Sequence, residues 1–166
     1  MDKLEKEKIE KRRKETSLNT MYFNRFLLIR YVTAGFFFIN LYWLCSLMMS
    51  QKAGVLLPGI NMIFIIRAVW EQGTMYSSPI DDAKNTILAY KVLSGVNIML
   101  VVVILTPLFK EVFPFLTDSR KSHELILGII LIGMFFCGVA LKRLHNIKKC
   151  TDKQYIYAKQ LEKTIG

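Results

Sequence analysis

Three asparagines are the residues of this chain best placed to do chemistry: Asn40, Asn61 and Asn97 each lie inside a long apolar run. An amide held in hydrocarbon is costly unless it is hydrogen-bonded, so each must face protein or water. Two uses follow. Paired across helices, such amides act as glue worth about 0.6–2 kcal/mol. Lining a common path, they would serve a substrate or ion. A proton or cation path normally adds a carboxylate inside a span, and no Asp or Glu lies in any of the runs, which favours glue. A second set, Glu111, Asp118, His123 and Glu124, falls between the third and fourth runs, where solvated loop charge is the plain reading. The chain has no HExxH, no CxxC, no glycine-rich phosphate loop and no Ser/His/Asp set at one depth. Cys45, Cys137 and Cys150 suggest neither a disulfide framework nor a metal site. The expectation is a non-enzymatic protein without cofactor or metal.

The elements that position these residues are the four runs themselves: 31–49, 53–70, 92–109 and 125–141, of 17 to 19 residues each. A helix needs about 20 residues to cross a hydrocarbon core of about 30 Å. The first, third and fourth runs contain no Asp, Glu, Lys, Arg or His, and the second contains only Arg67, near its end. Helices apolar on all faces over such lengths are membrane spans far more often than soluble cores. The fold class read from this pattern is an all-α polytopic membrane protein with four transmembrane helices in an antiparallel bundle. Asn40 and Asn61, near the middles of adjacent runs, then share a depth.

Charge sets the orientation. Of 23 Lys and Arg residues, nine lie in 1–30, seven in 142–166 and two in 71–91; the other side carries Lys52, Lys110, Arg120 and Lys121. Short basic segments remain cytoplasmic, so both termini and the middle loop are expected inside. The net charge of +10 is therefore a topology signal, and no nucleic-acid-binding module accompanies it. A highly charged stretch of about 30 residues precedes the first run and no small-x-small site follows it, which points to an uncleaved signal anchor.

Residues 1–20 read as a charged cytoplasmic helix, with Glu7→Lys11 and Glu10→Lys14 as supporting pairs. Residues 21–30 mix Tyr22, Phe23 and Phe26 with Arg25 and Arg30, an interfacial approach or the first turns of the first span. Residues 21–141 form the transmembrane domain and 142–166 a basic cytoplasmic helix. Pro58-Gly59 kinks the second helix or delays its start. At that helix's inner end, Arg67 snorkels to headgroups or pairs with Glu71. Asp81-Asp82 is a candidate cap for the next helix. After Pro107, the segment holding Leu108, Phe109, Val112, Phe113 and Phe115 reads as an amphipathic stretch on the outer face, exposed to a partner. Gly128, Gly133 and Gly138 suggest close packing of the fourth helix. Leu144, Ile147, Tyr155, Ala158, Leu161 and Ile165 would form a broken apolar stripe. It could pack on the N-terminal helix, lie on the bilayer or meet a partner.

The segments KLEKEKIEKRR, YFNRFLLIRYVTAGFFFINLYWL, TPLFKEVFPFL and KRLHNIK…DKQY resemble a family of small four-helix membrane proteins of streptococci and related low-GC Gram-positive bacteria, and the resemblance covers essentially the whole chain. Members are often labelled as a cellobiose phosphotransferase-system subunit. The residues here do not fit that label: four spans are too few for the sugar-translocating subunit, and no phosphorylatable His or Cys sits in a soluble fold. The resemblance brings no functional residues with it. The expected function is binding of a membrane or secreted protein partner, as an immunity-type protein or accessory subunit of an envelope system. The alternative is a small homo-oligomeric transporter or channel subunit in the bacterial cell membrane.

Overall fold

The computed structural model describes residues 3–75 and 83–165, with the side chains of 3, 4, 7 and 163–165 left aside. Among these residues every regular element is helical: α1 (Lys3–Met49), a 3-10 turn (Ala53–Val55), α2 (Leu56–Thr74), α3 (Lys84–Ile104), α4 (Phe109–Val112), α5 (Arg120–Lys148) and α6 (Lys153–Ile165). Four of the helices are long and apolar enough to cross a membrane.

The charged arm and the first span are one helix. No glycine precedes Gly35 and no proline interrupts residues 3–49, so nothing breaks a rod of 47 residues, about 70 Å at 1.5 Å per residue. It ends where Gln51 turns left-handed (φ 51°), with Lys52 N–H donating to Leu47 O and Gln51 N–H to Met48 O. These are the two bonds of a Schellman stop. Pro58 then falls in the first turn of α2, where the amides lack helical partners and proline removes nothing. Pro58-Gly59 thus goes with a delayed helix start. The third helix ends at Ile104, five residues short of the expected 109, because Pro107 disfavours helical geometry in the residue before it and the chain turns at Leu105–Thr106.

Ser119 caps α5 by accepting from Ser122 N–H at 3.3 Å. The helix runs past Leu141 to Lys148 and stops on a second Schellman turn, with Cys150 at φ 53°. That turn reverses the chain, and α6 lies back along the first half of α1. Of the three fates open to the C-terminal stripe, packing on the N-terminal helix is the one observed; Leu144, Ile147 and Ala158 are buried in it.

Helix α2 packs on α1, α3 on α2, and α5 on α3. Two apolar cores result. One, at the arm end where α6 meets α1, gathers Ile29, Tyr90, Ala140, Leu144 and Ile147. The other, at the hairpin end beside the 3-10 turn, gathers Trp43, Leu47, Leu100, Ile104, Phe109 and Phe113. Large apolar side chains such as Phe38, Tyr42, Ile63, Trp70, Val102 and Phe135 project outwards between these ends, as they would towards lipid.

Candidate functional site

The three asparagines come together. Helices α1 and α5 touch sparsely compared with the other neighbouring pairs, and a groove of about 680 Å³ opens between them. Asn40, Asn61 and Asn97 line it from three helices. Asn61 Nδ2 donates to Asn40 Oδ1 at 2.9 Å, and Asn40 Nδ2 donates to its own helix at Phe36 O, 2.8 Å away. Both residues are almost wholly buried, so the α1–α2 pair is the interhelical glue that their shared depth led us to expect. The set is not fully satisfied. Asn61 Oδ1 and Asn97 Nδ2 are shielded from solvent and have no hydrogen-bond partner. Gly133 brings α5 close over Asn97, since a Cβ there would stand 3.4 Å from Nδ2. Gly128 and Gly138 face open space, so only the middle glycine of the three makes a close approach.

The rim of the groove is apolar and outward-facing: Tyr31, Ile39 and Tyr42 on α1, Ile129, Ile132 and Phe136 on α5. Its closed end is made by the segment expected to be an exposed docking surface. Phe109, Val112 and Phe113 are instead buried, and only Leu108 and Phe115 remain largely exposed. Phe113 stacks on Trp43 with ring centroids 5.6 Å apart, and Trp43 Nε1 donates to Val112 O at 2.9 Å. Lys52 and Glu111 pair at 2.8 Å. A Cβ on Gly54 would lie 2.6 Å from Glu111 O, so a glycine there lets the 3-10 turn lie directly on the α4 backbone. The apolar face of this segment turns inwards because Trp43 offers a ring and a donor to it. The neighbouring charges form surface pairs, Lys110 with Asp118 at 3.7 Å and Arg120 with Glu124 at 2.9 Å, while the His123 ring rests on Phe109.

Sequence reasoning missed the polar network at the arm end. Arg25, beside the first span, is 1% exposed and makes a two-pronged ion pair with Asp152: Nε to Oδ2 at 3.0 Å and Nη2 to Oδ1 at 2.9 Å. It also donates to Ile147 O at 3.2 Å and packs over the Tyr155 ring. Asp152 in turn caps α6 by accepting from Tyr155 N–H at 3.2 Å. Thr33 bonds the Tyr90 hydroxyl at 2.9 Å and accepts from Gln72 Nε2 at 3.0 Å, tying α1, α2 and α3 together. The available signal was the polar set Thr33, Gln72, Thr86 and Tyr90 flanking three run ends, but its convergence needed the helix pairing.

Glu71 belongs to this network. Its carboxylate accepts from Asn85 N–H at 3.0 Å, Thr86 N–H at 2.7 Å and Thr86 Oγ1 at 2.8 Å. Those amides are the second and third of α3, so a side chain from α2 does the work of a cap, favoured by the helix dipole. Glu71 is thus engaged by α3, and no ion pair joins it to Arg67 among the described residues; Arg67 faces outwards, as snorkelling requires. The Asp81-Asp82 cap expected for this helix lies outside the described residues.

Among the described residues no three His, Cys, Asp or Glu side chains gather to hold a metal ion. The groove offers shape, apolar contact and two unpaired amide atoms. Comparison with family models, with curated proteins and with solved structures returns no match.

Proposed function

We propose that this is a non-enzymatic, multi-pass protein of the bacterial cell membrane that works by binding a protein partner, and that the partner lays a transmembrane helix along the α1–α5 groove. In this reading the four long helices form an antiparallel bundle, and both arms, residues 1–20 and 142–166, lie in the cytoplasm with 14 of the 23 basic residues. The carrying observation is the groove: apolar at its rim, open sideways, and floored by three asparagines with a shielded acceptor and a shielded donor unpaired. A helix in such a groove gains packing with α1 and α5 and can hydrogen-bond the amides. Immunity-type proteins and accessory subunits of envelope systems are the classes this build suits.

Gly35 provides the test. It lines the groove, and a Cβ added there meets nothing within 4 Å, so Gly35→Leu narrows the groove without a backbone clash. Photo-crosslinkers at Ile39 and Ile132 should capture one membrane protein in native membranes, whereas one at Ile63, exposed on α2, should not. Gly35→Leu should abolish the crosslink with insertion unchanged. A crosslink that persists in this variant, or none at the rim, overturns the reading.

A second reading has one observation in its favour: the three asparagines line one cavity, as a path in an oligomeric transporter or channel subunit requires. Replacing all three by Leu should then abolish flux in liposomes; flux that persists removes them from the path.

A further inference from the structure

The hydrogen bonds across the floor of the α1–α5 groove run in one direction, and a backbone atom sets it. Phe36 O only accepts, so Asn40 must turn Nδ2 towards it, at 2.8 Å. Asn40 Oδ1 then faces α2, and Asn61 must answer it with Nδ2, at 2.9 Å. Asn61 Oδ1 is left as the end of the chain, on a side chain only 3% exposed and without a partner. It is an acceptor that cannot be exchanged for a donor without breaking the bond to Asn40. In the same groove, Asn97 Nδ2 is a donor without an acceptor, on a half-buried side chain. Both atoms are shielded from water, so solvent does not supply what they lack. Both residues also lie 13 positions, about 20 Å of helix, from the arm-end termini of α2 and α3, too far for the short connection between those helices to supply it.

Few groups meet both demands. One side chain must donate to Asn61 and accept from Asn97, which hydroxyls and carboxamides do, whereas an indole or an ammonium only donates. A charged side chain would also stand against walls that hold no Asp, Glu, Lys or Arg among the described residues, where an unpaired charge is costly. Helices α1 and α5 touch sparsely, so a residue pressed between their rims reaches the floor by parting them. In helix–helix interfaces a single buried amide fixes register and partner in this way. Given that the groove receives a helix, the reading on which this rests, we propose that the helix carries one neutral hydroxyl or carboxamide side chain at the depth of Asn61. That side chain donates to Asn61 Oδ1 and accepts from Asn97 Nδ2. The groove thereby selects among apolar helices, because one without such a residue leaves both atoms orphaned.

The test uses the full chain reconstituted in phosphatidylcholine vesicles, with three labelled probe helices. Each has about 20 leucine and alanine residues, with Gln, Leu or the γ-methyl ester of Glu at the centre. Energy transfer from a label on the protein, at high lipid dilution, reads binding. The Gln probe should bind about 3- to 30-fold more tightly than the Leu probe, the weight of one hydrogen bond between spanning helices. The ester accepts but cannot donate, so it should bind more weakly than Gln. Asn61→Leu removes the acceptor that fixes the demand, and this variant should bind Gln and the ester alike. Equal binding of the Gln and Leu probes overturns the proposal and leaves the helix reading standing, and so does an ester that matches Gln on the unaltered protein. A preference for Gln over the ester that survives Asn61→Leu belongs to another surface and also overturns it. Binding of none of the three probes to inserted protein overturns the helix reading and this proposal with it.

Discussion

The arm end and the α1–α5 groove both bury polar side chains, and they treat them in opposite ways. At the arm end, Arg25, Asp152, Thr33, Gln72 and Tyr90 all have hydrogen-bond partners, and Asp152 serves two structures at once. In the groove, one amide–amide bond holds α1 to α2 while Asn61 Oδ1 and Asn97 Nδ2 have none. A buried polar group without a partner costs about 1–3 kcal/mol, so a groove that keeps two of them is poorly explained by stability alone. The contrast teaches that one end is built to hold the helices together and that the other region has been left incomplete at a lateral opening.

If that division is right, the largest loss belongs at the arm end. Asp152→Ala strands Arg25 in a buried site and should cost about 3–5 kcal/mol, seen as a lowered melting temperature in detergent and faster proteolysis of α6. Replacing the pair together, Arg25→Met with Asp152→Leu, should restore most of the loss. A single-variant effect no greater than that of a groove asparagine would erase the contrast.

Phe113→Ala opens the closed end of the groove and removes the stack on Trp43. It should cost about 3 kcal/mol, at the low end for a buried aromatic because lipid supplies less transfer energy than water. The same melting measurement reads it, and a negligible shift would mean that this segment is not core. Glu71→Ala removes the carboxylate that caps α3 from α2 and should cost about 1–2 kcal/mol, with amide exchange quickening first at Asn85 and Thr86. Exchange that is unchanged there would show that the cap is redundant.

The smallest effect should come from the groove itself. Asn61→Leu loses the bond to Asn40 but also removes an unpaired acceptor, so its net cost should stay near or below about 1 kcal/mol. A loss comparable to Asp152→Ala would make the groove a structural seam.

Much of this was legible along the chain, for reasons that can be traced to particular residues. The four runs stand out because a helix able to cross lipid needs about 20 apolar residues whatever its neighbours do. The Asn40–Asn61 bond could be anticipated because two adjacent runs of similar length put their midpoints at one depth. By contrast, Glu71 read as a partner for nearby Arg67, when its three bonds go to α3, 14 and 15 residues away. Phe109, Val112 and Phe113 carry a pattern that is equally apolar whether it faces membrane, partner or Trp43, and only the position of Trp43 chooses among them.

The sequence by itself determined the helical class and the four stretches long and apolar enough to cross a membrane, because composition and period are local. Tertiary structure decided which polar residues meet. Arg25 and Asp152 are 127 positions apart, and their pairing depends on the turn at Cys150 sending α6 back along α1. It also decided that α1 and α5 stand apart, leaving the groove, since the spacing of two helices is set by every side chain packed between them and their common neighbours.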